Sequence, residues 1–278
     1  MIRRSTVCLA VAIAAVCLPG LSGCAKADVA SQTSLTVTGS TTVLPIAEVA
    51  AEDFQAANPG KRVLVAGVGS SAGIESVANG TSDIGTSSRD LKPEEKSLGL
   101  IDTKIALDAI AVIVNPSNPV SGLTKAQVSD IFQGKITNWK QVGGPDLEIG
   151  LVNRDEASGT REAFSKFVLG TSDFDPTAAV LPGTGQVRSV VAQAAGAVGY
   201  ISLGFVDSTV KALAVDGIPA DEKTVADGTY PLWRTLHFFT KGEPKGLVRA
   251  YIDFVLSDKI QNTVVRDAGF LPITEGGK

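Results

Sequence analysis

The sequence predicts an α/β protein of two lobes, and three observations carry that expectation. Short β-branched runs alternate with helical patterns along the chain. One long apolar run, 105–114, has the character of a strand buried on both faces, and Asn115-Pro116 ends it because proline cannot continue the ladder. The 278 residues suit one large or two moderate domains, at roughly 100–200 residues per domain.

Taken in order, residues 35–38 read as a strand and 43–54 as a helix, then 62–66 as a strand and 73–79 as a helix, with a short strand at 84–86. After the long strand, Thr124 is a natural N-cap for a helix that sets Val128, Ile131 and Phe132 on one face. A strand at 147–152, helices at 160–169 and 186–195 and a strand at 198–202 follow. The stretch 216–231, rich in Gly, Pro and charge, reads as loop, and a strand at 235–239 and a helix at 247–256 close the chain. The long strand marks the crossing between lobes. Residues 35–110 are expected to start lobe 1, 111–233 to form lobe 2, and 234–278 to return to lobe 1.

Residues 1–23 read as an export signal. Arg3 and Arg4 precede an apolar run at 7–18, too short to span a hydrocarbon core of about 30 Å. Leu21-Ser22-Gly23-Cys24 then resembles a bacterial lipobox, in which the chain is cut before Cys24 and its thiol acylated; an ordinary cleavage site is the alternative. Residues 24–34, small and polar, read as a tether from lipid to fold. The expected location is the extracytoplasmic face of the cell membrane. Cys8 and Cys17 leave with the signal, so the mature chain has no thiol pair for a disulfide. With 25 Lys and Arg against 29 Asp and Glu, the charge balance argues against holding nucleic acid by counterion release, and an anion would need local donors.

Three short turns between a strand and a helix supply such donors. They are Gly39-Ser40-Thr41-Thr42, Gly69-Ser70-Ser71-Ala72-Gly73, and Arg154-Asp155-Glu156-Ala157-Ser158-Gly159-Thr160. Helix N-termini leave N–H groups unpaired and carry roughly half a positive charge. Ser and Thr are also ordinary N-caps, so each turn alone is a weak signal; three in one chain, the last with an Arg, are a stronger one. Arg154 offers a planar, permanently charged fork for an oxyanion, with Glu156 or Asp155 as its counter-ion; a surface ion pair is the plainer alternative. Neither nucleotide-binding glycine pattern is present, so a small anion fits better than ATP or NAD.

At these residues the chain resembles the phosphate-binding lipoproteins of the PstS family, receptors of the high-affinity phosphate ABC importer. The likeness covers nearly the whole mature chain. It includes the Gly-Ser-Thr-Thr turn, the run 67–73, Asp83-Ile84-Gly85-Thr86-Ser87-Ser88-Arg89, the run 132–139, Arg154 to Thr160, Gly199-Tyr200-Ile201 and 228–234. The resemblance implies a two-lobed type II periplasmic-binding-protein fold with two crossover strands as hinge. Inorganic phosphate would be buried in the cleft and passed to ABC permease subunits by a monomer without cofactor or metal. Carried over by position, Thr41, Thr42, Ser70 and Ser88 would bind from one lobe, and Arg154, Ser158, Gly159 and Thr160 from the other. Ser88 stands where reference members have an Asp that accepts the proton of phosphate, the feature by which such a site rejects sulfate. Asp83 and Asp90 lie nearby in sequence, Asp83 reading more naturally as a turn residue.

The alternatives are a receptor for another tetrahedral oxyanion, such as molybdate, tungstate or sulfate, an exported phosphatase with Ser70 or Ser158 as nucleophile, or a surface interaction or phosphate-sensing protein that keeps the cleft but needs no permease. The phosphatase lacks evident support: there is no His or Cys pair for a metal, and the single His237 lies in a strand pattern and reads as a packed or hinge residue. Trp139 and Trp233 read as packing anchors over loops, and 92–96 as a solvated helix face.

Overall fold

The computed structural model describes residues 32–273. The signal (1–23), Cys24 and most of the expected tether lie outside them. Ser34, counted with the tether, already belongs to the first strand. None of the described helices is long and apolar enough to cross a membrane.

The first third alternates as the periodicity predicts: β1 (Ser34–Gly39), α1 (Leu44–Ala57), β2 (Arg62–Gly67), α2 (Ser70–Ala78) and β3 (Ile84–Ser87). Then come β4 (Leu100–Val114), β5 (Gly122–Leu123), α3 (Lys125–Phe132), β6 (Gly150–Arg154), α4 (Gly159–Phe164) and β7 (Ala179–Leu181). The chain continues through α5 (Thr184–Gln193), β8 (Ala197–Ser202), β9 (Lys211–Ala212), β10 (Ala214–Val215), α6 (Glu222–Ala226), β11 (Trp233–Lys241), α7 (Gly246–Val255), α8 (Asp258–Ile260) and β12 (Leu271–Pro272). Thr124 caps α3 through a full capping box with Gln127, as its position suggested.

The main sheet runs β2-β1-β3-β11-β4-β8-β6-β7. β1 pairs in parallel with β2 and β3, and β6 in parallel with β7 and β8; between these parallel groups lie β11 and β4, antiparallel to each other and to their outer neighbours. Along β4 the partners change: residues up to Ala109 pair with β11, and Ile110–Val114 with β8. The core divides accordingly. One cluster holds Leu35, Ile46, Phe54, Ile105, Phe238 and Tyr251, and another Ile110, Val128, Phe132, Trp139, Phe164 and Tyr200. β4 and β11 are the strands that join these halves.

Several details differ from the expectation. The stretch 216–231 contains α6, a helix of five residues with an Asp221–Thr224 capping box, too short to show a period. Residues 160–169 change from α-helix to a π-turn at Ser165. α2 and α5 begin earlier than the apolar pattern suggested, at Ser70 and Thr184. Trp139 is a packing anchor, fully buried and donating to the Gly196 carbonyl at 2.9 Å, whereas Trp233 is 40% exposed. Glu95, expected on a solvated face, forks onto Arg89.

Candidate functional site

Open α/β sheets bind ligands at the carboxyl ends of their parallel strands; here the two parallel groups run in opposite directions and are offset along β4, so their carboxyl ends face each other. Here β1 leads to Thr41 and Thr42, β2 to Ser70, β3 to Ser88, β6 ends on Arg154, and β7 leads to Thr184. The starts of α1, α2, α4 and α5 gather at the same place, each adding the partial positive charge of its first turn.

The hydroxyls meet in pairs. Thr42 Oγ1 lies 3.1 Å from Thr160 Oγ1, Thr41 Oγ1 3.1 Å from Thr184 Oγ1, and Ser70 Oγ 3.3 Å from Ser88 Oγ. Two of these pairs cross between the halves of the molecule. A hydroxyl has one proton, so each pair that spends one proton internally keeps one O–H for a ligand. Much of the acceptor capacity is already used: Arg154 donates to Thr41 and Thr184, Arg234 to Thr42 and Thr160, and the Ser88 N–H to Ser70. The proton each pair keeps can be turned toward an oxyanion. Gly159 is required by close approach, since a Cβ there would fall 2.4 Å from Ser70 Oγ. Gly69 holds a φ of +101°, and its Cβ would sit 2.7 Å from the Ala157 carbonyl.

Two guanidiniums stand behind the hydroxyls, and their surroundings differ. Arg154, 1% exposed, donates to the Leu181 and Pro182 carbonyls at 3.2 and 2.9 Å and to the Thr184 and Thr41 hydroxyls at 3.1 and 3.2 Å, all neutral oxygens. Arg234 is buried too, but Asp108 Oδ2 takes its Nε at 2.9 Å and its Nη2 at 2.8 Å, and Ser202 donates to Asp108 Oδ1 at 2.7 Å. Burial lowers the pKa of both arginines and raises that of Asp108, the Asp108 and Arg234 charges opposing burial within their pair. Arg234 is thus locally neutralised. Arg154 is a buried positive charge held by dipoles.

The expected counter-ions of Arg154 are corrected by this geometry. Glu156 is exposed and pairs with Arg161 at 2.6 Å, and no hydrogen bond joins Asp155 to Arg154; carbonyls of the β7–α5 turn fix the guanidinium instead. Asp155 contributes only its charge. Ser158 caps α4 by accepting from the Arg161 N–H at 3.2 Å, which leaves its own proton free. Thr41, Thr42, Ser70, Ser88, Arg154, Gly159 and Thr160 are brought together. Asp83 is a turn residue that accepts from Thr36, and Asp90 is exposed beside His237, so neither carboxylate faces the hydroxyls. His237 is buried on β11 against Asp102 and Phe239.

Sequence reasoning missed Thr184, Arg234 and Asp108. Pro182-Gly183-Thr184-Gly185 is a fourth strand–turn–helix junction of the kind already recognised three times. Asp108 was visible as the one acid in an apolar run, and a buried carboxylate demands a cationic partner. Which cation answers it depends on β4 lying beside β11, which puts Arg234 opposite Asp108.

Residues 25–259 match the family described as PBP superfamily domain. The phosphate-binding protein PstS of Bacillus subtilis is 37% identical over 260 residues, 91% of this chain and 85% of its own length. PstS of Borreliella burgdorferi is 31% identical, covering 86% and 90%. Among solved structures, a phosphate ABC transporter substrate-binding protein of Clostridium perfringens with bound phosphate superposes with a TM-score of 0.84 at 39% identity, covering 86% of this chain and 99% of that one. An ABC-type phosphate transport receptor of Vibrio cholerae gives 0.73 at 35% identity, covering 85% and 99%. With a type II periplasmic-binding fold and this likeness along nearly its whole length, the chain belongs to the PBP superfamily and, within it, to the PstS family of phosphate-binding proteins.

Proposed function

We propose that this protein is an extracytoplasmic receptor that captures inorganic phosphate between two lobes and delivers it to an ABC permease. Lobe 1 comprises residues 35–110 and the return segment assigned to 234–278, of which 274–278 lie outside the described residues; lobe 2 comprises 111–233, and β4 with β11 is the hinge. The observation that carries the reading is Arg154: a buried cation whose hydrogen-bond partners are all neutral, ringed by hydroxyls that can each turn a proton toward a ligand. Such a group is stabilised when an anion arrives. Thr41, Thr42, Ser70 and Ser88 come from lobe 1, and Arg154, Ser158, Gly159 and Thr160 from lobe 2. The anion's shell is complete only when they close, so binding drives closure.

The relatives are named as binding proteins and a transport receptor, which supports a receptor over a phosphatase. Ser70 Oγ meets the Ser88 hydroxyl and N–H, and Ser158 Oγ accepts from the Arg161 N–H, so neither is paired with a base that would make it a nucleophile. The mature protein is read as a monomer anchored through acylated Cys24 after cleavage of residues 1–23. One observation favours a second ligand: with Ser88 in the ring and Asp83 and Asp90 turned away, sulfate meets no repelling carboxylate there.

Calorimetric titration of phosphate-stripped residues 25–278 with phosphate, with sulfate and arsenate as competitors, decides between them. Tight phosphate binding that excess sulfate does not displace is expected. Displacement by sulfate would move the protein to the broader oxyanion class, and phosphate release from a chromogenic ester would restore the phosphatase.

A further inference from the structure

Beside the hydroxyl ring, a separate set of charges joins the two lobes. Arg89 directly follows Ser88, and its guanidinium is fixed within lobe 1: Glu95 accepts from Nη1 at 2.7 Å and from Nη2 at 2.8 Å, Ser71 Oγ accepts at 3.1 Å and the Asp90 carbonyl at 2.9 Å. Across the cleft, Glu162 stands in the first turn of α4, two residues beyond Thr160. Its Oε2 lies 2.9 Å from Arg89 Nε and 3.1 Å from Lys92 Nζ. The Arg89 Nε–H is not aligned on that oxygen, so the contact is one of charge rather than a directed hydrogen bond. These three residues line a cavity of about 630 Å³ bounded by both lobes, with Lys166, Phe167 and Trp233 also on its wall.

Thr42, Ser70, Ser88, Arg154 and Thr160 are each at most 1% exposed, so a ligand enters or leaves only when the lobes part. Parting separates Glu162 from both cations, while Arg89 keeps its Glu95 fork because those two residues share a lobe. An ordinary surface ion pair contributes little because two flexible chains must be ordered to form it. Here Arg89 is 4% exposed and already immobilised, so on its side of the contact nothing more is ordered on closing.

We infer that Glu162 is a further positioning residue of the phosphate site: its contact with Arg89 and Lys92 belongs to the closed state alone, slows reopening, and so sets the rate of phosphate release. The inference rests on the phosphate reading above. Glu162 touches no ligand; it acts through α4, the helix whose first residues, Gly159 and Thr160, form part of the clamp.

The test is stopped-flow fluorescence of Glu162→Gln with inorganic phosphate, using the chain's own tryptophans, of which Trp233 lines the same cavity. Release should become about fivefold faster while association stays within about twofold, the effect of one partly exposed charge contact. At about 0.5 M salt, where the Debye length is about 4 Å, the two release rates should converge, which loss of packing alone would not produce. Lys92→Met should also speed release, and less than additively with Glu162→Gln; it carries the test if the first variant does not fold. Unchanged release, an equal change in association, or a rate ratio indifferent to salt would overturn the inference and leave the phosphate reading standing. Failure of the unaltered protein to bind phosphate would overturn both.

Discussion

Replacing Arg154 with alanine should cost more phosphate affinity than removing any hydroxyl of the ring. The site contains two buried guanidiniums, but Asp108 neutralises Arg234, so Arg154 supplies the charge that an anion answers. Removing one member of a buried charge pair costs about 3–5 kcal/mol, or roughly 150- to 4000-fold in Kd. Thr42→Ala removes one hydroxyl whose neighbours, Thr160 and Arg234, still bond each other at 3.0 Å. Its cost is that of one hydrogen bond, about 1–2 kcal/mol, or roughly 5- to 30-fold. The assay is phosphate calorimetry on both stripped variants, with urea unfolding of the unliganded proteins as control, because Arg154 also ties down the Leu181 and Pro182 carbonyls. Losses within threefold of each other, in variants of equal unliganded stability, would refute the argument that Arg154 is the uncompensated charge.

Arg234→Met strands Asp108, whose side chain has no exposure, and should lower unfolding stability in urea by about 3–5 kcal/mol; changing Asp108 to Leu as well should recover most of that. Gly159→Ala puts a Cβ 2.4 Å from Ser70 Oγ and 2.9 Å from Ser88 Oγ. Gly159 and the two serines come from opposite lobes, so the overpacking, about 1–3 kcal/mol, falls on the closed state: calorimetry should read a phosphate affinity lower by roughly 5- to 150-fold, while parting of the lobes relieves the clash in the unliganded protein. Burial alone would raise the Glu95 pKa, but its hydrogen bonds from Arg89 and the Lys92 N–H and the charges of both residues hold it below the usual carboxylate value. A carboxylate depressed on folding stabilises above its unfolded pKa of about 4.3, and that contribution disappears as pH falls through the folded value. Glu95→Gln should therefore be less stable than the unaltered protein at pH 7 and equal to it in strong acid, as read by urea unfolding at both.

The alternation of short strands and helices was legible because each element carries its own period: β1, α1, β2 and β3 fall within a few residues of where the apolar pattern put them. The turns bearing Thr41, Ser70 and Arg154 to Thr160 were legible for a related reason, since Gly, Ser and Thr at a strand–helix junction announce themselves locally. Element starts such as Ser70 and Thr184 were read late because the first turn of a helix can face the ligand edge of the sheet and need not follow the apolar stripe. Glu156 was misjudged as the partner of Arg154 because closeness in sequence says little about which way side chains leave a turn; Glu156 points outward to Arg161.

By itself, then, the sequence determined the fold class and the strand–turn–helix junctions whose hydroxyls the structure gathers, because periodicity and turn chemistry are properties of neighbours along the chain. Only the tertiary structure decided which groups oppose one another: Arg234 against Asp108, Arg154 against carbonyls of the β7–α5 turn, Glu162 against Arg89 and Lys92. Those pairings join residues 27 to 126 positions apart. They arise from strand order and from the meeting of the two halves, and a charge in a sequence carries no record of the partner that packing will set beside it.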